Sequence, residues 1–115
     1  FLTEVRPWLK VTAIRAARAE IPPDYVISVR FNRPVDPTTV TSDSFRVTIQ
    51  ETGELHGGTI RLSRDRRVIF FTPSRPFPLR RTVSLILIPD LADTGGNPLE
   101  KPFTTAWPVR AGAKI

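Results

Sequence analysis

Apolar residues in this chain return at every second position, in run after run no longer than a strand. Ile27, Val29 and Phe31 alternate with Ser28 and Arg30, and Phe45, Val47 and Ile49 alternate with Arg46, Thr48 and Gln50. Successive side chains of an extended strand point to opposite faces, so each run gathers its apolar set on one face. Ile60 and Leu62 repeat the pattern around Arg61, as do Val83, Leu85 and Leu87 around Ser84 and Ile86. With further segments at residues 9–15, 67–72 and 103–107, seven strands are expected. One helical turn is expected within residues 36–44, where Asp36 can cap and Pro37 suits the first helical position.

Twelve prolines, about double the average usage, fall between the apolar runs rather than inside them. A chain disordered by proline would lack the Val, Ile, Leu and Phe that recur here at strand length. Short strands set apart by turn signals every ~8 to 14 residues indicate an antiparallel sandwich of two sheets, not a parallel sheet with crossover helices. Asp65-Arg66 is expected to close a tight hairpin. Gly95-Gly96-Asn97 is expected to reverse the chain before the last strand, because glycine and asparagine tolerate positive φ. The 115 residues suit one domain. It is placed at residues 8–108, with residues 1–7 and 109–115 read as linker remnants of a longer protein.

With no cysteine and His56 as the lone histidine, the chain excludes thiol chemistry, cysteine-rich zinc sites and multi-histidine metal sites. No cofactor, metal or catalytic residue is expected. His56 lies among glycines as a solvated loop residue, with no nucleophile-elbow motif beside it. Asp90, Asp93 and Asn97 could offer oxygen to Ca²⁺, yet they lack the dense acidic spacing and distal glutamate of an EF-hand loop. Asp93 is instead expected to bond turn amides, and Asn97 to take a left-handed conformation. No apolar run approaches the roughly 18 to 20 residues that a membrane-spanning helix needs.

The net charge is +6, and seven arginines lie between Arg61 and Arg81 with Asp65 as the sole acid. Interleaved with Phe70, Phe71 and Phe77, they look like a nucleic-acid stripe. Strand topology breaks that stripe. Arg64, Arg66 and Arg67 fall at one end of the sandwich and Arg75, Arg80 and Arg81 at the other, roughly 20 Å apart at about 3.3 Å per residue. The first group shares its end with Asp36, Asp43, Asp90 and Asp93. Nucleic acid is therefore not expected as a partner, whereas an anionic surface polymer or glycan stays open as an alternative. Trp8 and Trp107 are expected to seal the ends of the core, with a sugar-stacking platform as the other reading.

The order of motifs resembles a known family. Phe31-Asn32-Arg33-Pro34-Val35-Asp36 is similar to the F-S-x-P-[LMV]-D segment of bacterial Ig-like domains of the S-layer (SbsA) type, and residues 40–47 resemble the V-x-x-x-S-F-x-V that follows. Ile69 to Pro73 resembles V-x-F-x-P. Leu79, Thr82 and Val83 stand where the family has L-x-x-x-T-x-Y, with valine in place of tyrosine. Asp93 to Leu99 resembles D-x-x-G-N-x-L, and Phe103-Thr104-Thr105 the closing F-x-T. The resemblance implies an Ig-like, two-sheet sandwich with Greek-key connections. It further implies a non-catalytic spacer or contact module of a secreted, periplasmic or cell-surface bacterial protein. Its partners would be neighbouring domains of the same chain, or another surface protein or glycan, with no insertion into a membrane. The amino-terminal domain of a bacterial alpha-macroglobulin protease trap is a second parent that the pattern fits.

The resemblance places Ile69 and Phe71 inward, so Val68 and Phe70 face outward. Ile86 and Ile88 also point away from the core if Val83, Leu85 and Leu87 point in. Val68, Phe70, Ile86 and Ile88 are the candidate interaction surface, expected as two small patches on opposite sheets.

Overall fold

Alternation becomes two stacked sheets in the structure, a computed structural model that describes residues 8–14 and 20–110. Its strands are β1 (Val11–Ile14), β2 (Ile27–Phe31), β3 (Phe45–Ile49), β4 (Glu54–Leu55), β5 (Gly58–Leu62), β6 (Val68–Pro73), β7 (Thr82–Leu87) and β8 (Phe103–Pro108). One sheet has the order β1-β2-β6-β5 and the other β4-β3-β7-β8, with every named pair antiparallel. Because β2 and β3 lie in different sheets, as do β6 and β7, the chain crosses the sandwich repeatedly in a Greek key.

Register puts like against like. Ile27 sits opposite Phe71 and Val29 opposite Ile69 in one sheet, while Phe45, Val47 and Ile49 sit opposite Leu87, Leu85 and Val83 in the other. These residues meet between the sheets and all are buried, as is Phe31. The Phe45 and Phe71 rings join the two layers, with centroids 6.3 Å apart and planes inclined by 28°. Ile60 and Leu62, on edge strand β5, are half-buried against this core. Leu9, Ile21, Val35, Phe77, Leu91, Leu99 and Val109 complete it from outside the strands.

Several local expectations are corrected. An eighth strand appears, the two-residue β4, because Gly53 at φ 73° turns the chain tightly enough to pair Glu54 and Leu55 with β3. The helical turn shrinks to a 3₁₀ turn at Pro37–Thr39, capped by Asp36 Oδ1, which accepts the Thr38 N–H at 3.0 Å. It stops there because Ser44 Oγ donates to the Thr39 carbonyl at 2.6 Å and folds residues 41–44 into their own turn. β1 is shorter than expected and bulged between Val11 and Ala13, and Arg15 lies outside the described residues. Val109, read from sequence as linker, is buried and forms a bridge with Ile21, so ordered packing continues past residue 108. The remaining linker positions, 1–7 and 111–115, lie outside the described residues.

The chain enters and leaves at opposite poles. Trp8 and Leu9 lie at the pole formed by Asn32 and Leu99, whereas Val109 lies beside Ile21 and Arg81 at the other. Within β5, Gly58 lets the Phe71 ring and the Thr72 carbonyl approach so closely that an added Cβ would collide with both. Gly58→Ala is expected to lower stability by about 1–3 kcal/mol in urea denaturation. Gly57→Ala, whose Cβ meets Ser74 Oγ at an ordinary 3.6 Å, should change it by less than about 0.5 kcal/mol.

Candidate functional site

The outward positions of β6 sit in the middle of the first sheet. Phe70 lies between Ser28 on β2 and Arg61 on β5, and Val68 lies beside Arg30. Phe70 forms a ridge between two shallow hollows. One is lined by Ala13, Ile14, Ser28, Arg30 and Val68, the other by Val26, Arg61, Leu62 and Thr72. Among the described residues, no carboxylate lines either hollow. Val68 and Phe70 are half-buried, while Arg30 and Arg61 are exposed. The face is thus an apolar stripe flanked by guanidinium groups.

Ile86 and Ile88 belong to the opposite sheet. Ile86 lies between Arg46 and Thr104, and Ile88 follows the end of β7, where its N–H donates to the Ser44 carbonyl at 3.2 Å. Both are half-buried. The fold brings Val68 together with Phe70, and keeps this pair apart from Ile86 and Ile88 by the full thickness of the sandwich. Leu55, half exposed on β4 beside Thr48, is an apolar surface residue that sequence reasoning missed, since a two-residue strand shows no alternation. Val26, also exposed, precedes β2 and joins the Phe70 side.

Apart from Arg61, the arginines of the 61–81 run divide between the poles. Arg66 adopts φ 61° in the β5–β6 hairpin, its carbonyl accepting the Val35 N–H, and Arg67 Nη1 donates to the Asn32 carbonyl at 3.0 Å. Arg33 approaches Asp93 at 3.9 Å, and Arg46 approaches Asp43 at 3.5 Å. At the far pole, the Arg80 N–H donates to the Val109 carbonyl.

His56 departs from the sequence expectation. It is only 4% exposed, its Nε2 lies 2.9 Å from the Arg75 carbonyl oxygen, and its ring centroid is 4.7 Å from that of Phe77. The imidazole closes the core where the chain crosses from β4 to β5. The overlooked signal was Phe77, an apolar residue between two prolines that had to be buried against something. Trp107 is wholly buried in β8, tilted against Tyr25 at 6.5 Å, so it seals the core and has no face open to a sugar. Trp8 is half-buried.

Asp93 organises the turn before β8. Its Oδ1 accepts the N–H groups of Gly95 at 2.9 Å and Asn97 at 2.8 Å, and Asn97 Nδ2 donates to Oδ2 at 3.0 Å. The left-handed conformation falls to Gly96, at φ 84°, rather than to Asn97, which serves as donor. Asp90 is exposed and takes no part in this set. Burial pushes the Asp93 carboxyl up, but the hydrogen bonds from Asn97 and Gly95, with the Arg33 charge nearby, outweigh it and hold the group below the ordinary carboxylate range.

The family profile described as a bacterial Ig-like domain matches residues 3–108. The chain belongs to that family. The surface layer protein SbsC contains a similar fold at TM-score 0.67 and 18% identity, covering 94% of this chain and 14% of that one. Alpha-2-macroglobulin from Escherichia coli, in a structure spanning domains MG0-NIE-MG1, aligns at TM-score 0.68 and 14% identity, covering 92% of this chain and 33% of that one. L,D-transpeptidase 3 from Mycobacterium tuberculosis aligns at TM-score 0.55 and 15% identity, covering 88% of this chain and 37% of that one. Comparison with curated proteins returns no match. At these identities the likeness concerns the fold, and in each case the bacterial Ig-like chain spans well under half of a larger protein.

A carboxyl held below its unfolded-state pKa stabilises the fold above that pKa, and the stabilisation is lost as pH falls through the folded value. The melting temperature should therefore hold from neutral pH down to about 5 and drop below about pH 4. Asp93→Ala should flatten part of that drop and cost about 1–3 kcal/mol at neutral pH by stranding the turn's donors. Millimolar calcium should leave the melting temperature unmoved, since both Asp93 oxygens already accept hydrogen bonds.

Proposed function

We propose that this domain is a non-catalytic spacer and contact module within a larger exported bacterial protein. The observation that carries this reading is where the described chain enters and leaves the sandwich. Leu9 lies at one pole and Val109 at the other, so preceding and following segments would emerge in opposite directions with a tightly packed sandwich between them. Membership of the bacterial Ig-like family supports it, as does likeness to domains that form small parts of surface-layer and macroglobulin chains. The side chains with most chemical capacity serve the fold: His56 fills the core and Asp93 fastens a turn.

The occupant of the outer faces is an adjoining domain of the same polypeptide. Val68 and Phe70, with Val26, form the principal contact, and Ile86 and Ile88 a smaller one on the opposite sheet. An apolar ridge at the centre of a sheet gains from being covered, and the flanking arginines favour a carboxylate-bearing neighbour. A second parent, a bacterial alpha-macroglobulin, is favoured by the likeness over 92% of this chain. The length of the full gene and a downstream thioester motif discriminate the two.

Phe70→Ser should lower the stability of the isolated chain by no more than about 1 kcal/mol. In the full-length parent it should speed limited proteolysis at the junction between this domain and its neighbour. Unchanged cleavage in the parent would count against the contact role.

A further inference from the structure

We infer that the first segment, residues 8–14 and 20–21, is held by a clasp at each pole that makes the domain resist tension along its length, with Asn32 as the positioning residue of the first clasp. The inference rests on the spacer reading above. Residues 8–14 and 20–21 run from one pole to the other, in the same direction as the chain's last segment. At each pole the two segments join in a parallel bridge, Leu9 with Leu99 and Ile21 with Val109, although every named strand pair is antiparallel. At the first pole the Leu9 N–H donates to the Pro98 carbonyl at 3.1 Å, and the Glu100 N–H donates to the Leu9 carbonyl at 2.9 Å. At the second, the Ile21 N–H donates to the Pro108 carbonyl at 3.0 Å, and the Arg110 N–H donates to the Ile21 carbonyl at 2.9 Å.

Tension that draws residue 8 out of one pole and residue 110 out of the other slides these two segments past each other. The bonds of each clasp lie across the direction of pull, so they are strained together instead of opening one after another. Asn32 reinforces the first clasp from the other side. Its Nδ2 donates to the Trp8 carbonyl at 3.1 Å, its Oδ1 accepts the Lys10 N–H at 2.8 Å, and its own N–H donates to the Lys10 carbonyl at 3.0 Å. Leu9 is thus tied to the last segment while the residues on either side of it are tied to Asn32. The side-chain amide acts as an additional peptide group, filling the place of a neighbouring strand at the point where external force arrives.

The test is single-molecule force spectroscopy on the 115-residue chain, whose lack of native cysteine makes any introduced thiol a unique handle. One version carries a cysteine added at each terminus. The other carries Ser42→Cys and Arg64→Cys, both exposed in loops at the first pole, so that pulling peels the sheets apart without loading the first strand lengthwise. End-to-end pulling should require the higher rupture force. Asn32→Ala should lower that force and leave the peeling force close to its original value. Asn32→Asp, which keeps the acceptor and loses the donor, should fall between, and it serves as the test if Asn32→Ala does not fold. Equal forces in the two geometries, or an end-to-end force indifferent to both substitutions, overturns the inference. The force is read on the isolated chain and junction proteolysis on the parent, so failure of the clasp and failure of the spacer reading give different results.

Discussion

The contact between the inner faces of the two sheets is the constraint on which the rest of the molecule depends. β2 and β6 present Ile27, Val29, Phe31, Ile69 and Phe71 to the Phe45, Val47, Ile49, Val83, Leu85 and Leu87 of β3 and β7. Each such side chain contributes about 1.5–3 kcal/mol on burial. A slip of one residue in any central strand would turn its whole set to water, so the phase of every strand is tightly held. The stacked Phe45 and Phe71 rings show the two layers meeting directly.

That phase also decides the surface. Once Ile69 and Phe71 must point inward, Val68 and Phe70 must point outward, whether or not water suits them. The same holds for Ile86 between Leu85 and Leu87. These apolar positions follow from the core rather than from local preference, and they stand where an adjoining domain can cover them. The charge pattern is likewise a product of topology. A run of arginines that is dense in sequence is parted by the length of β6, and the ion pairs with Asp93 and Asp43 are made by Arg33 and Arg46, which lie outside that run. The histidine, the best-placed aspartate and one tryptophan are consumed in closing the poles.

At the poles, hydrogen bonds take over from apolar burial. The loop of residues 32–36 is held by Arg66, Arg67 and the turn around Asp93, and Asn32 in that loop grips Trp8 and Lys10 just ahead of the first strand. Residues distant in sequence thereby converge on the points where the chain enters and leaves. In a spacer, a pull enters and leaves through the first and last segments, which is why the parallel bridges of Leu9 with Leu99 and Ile21 with Val109 bear on the spacer reading.

Much of the fold was legible before the structure. A period of two in apolar residues is a property of the single strand, and it identified the strands, their inward residues and the two-sheet architecture, because burial acts on each side chain separately. The prolines marked the boundaries for an equally local reason, the missing N–H. What depends on long-range partners was not legible. His56 looked solvated because its glycine neighbours say nothing of Phe77, which approaches from a loop about twenty residues on. Val109 looked like linker because its partner Ile21 lies at the far end of the chain, and Gly96 rather than Asn97 took the left-handed position because Asp93 claimed the asparagine as a donor. The sequence by itself determined which residues the core would own. Only the tertiary structure decided how the poles close and where the first strand is held, because those contacts join segments that no local pattern connects.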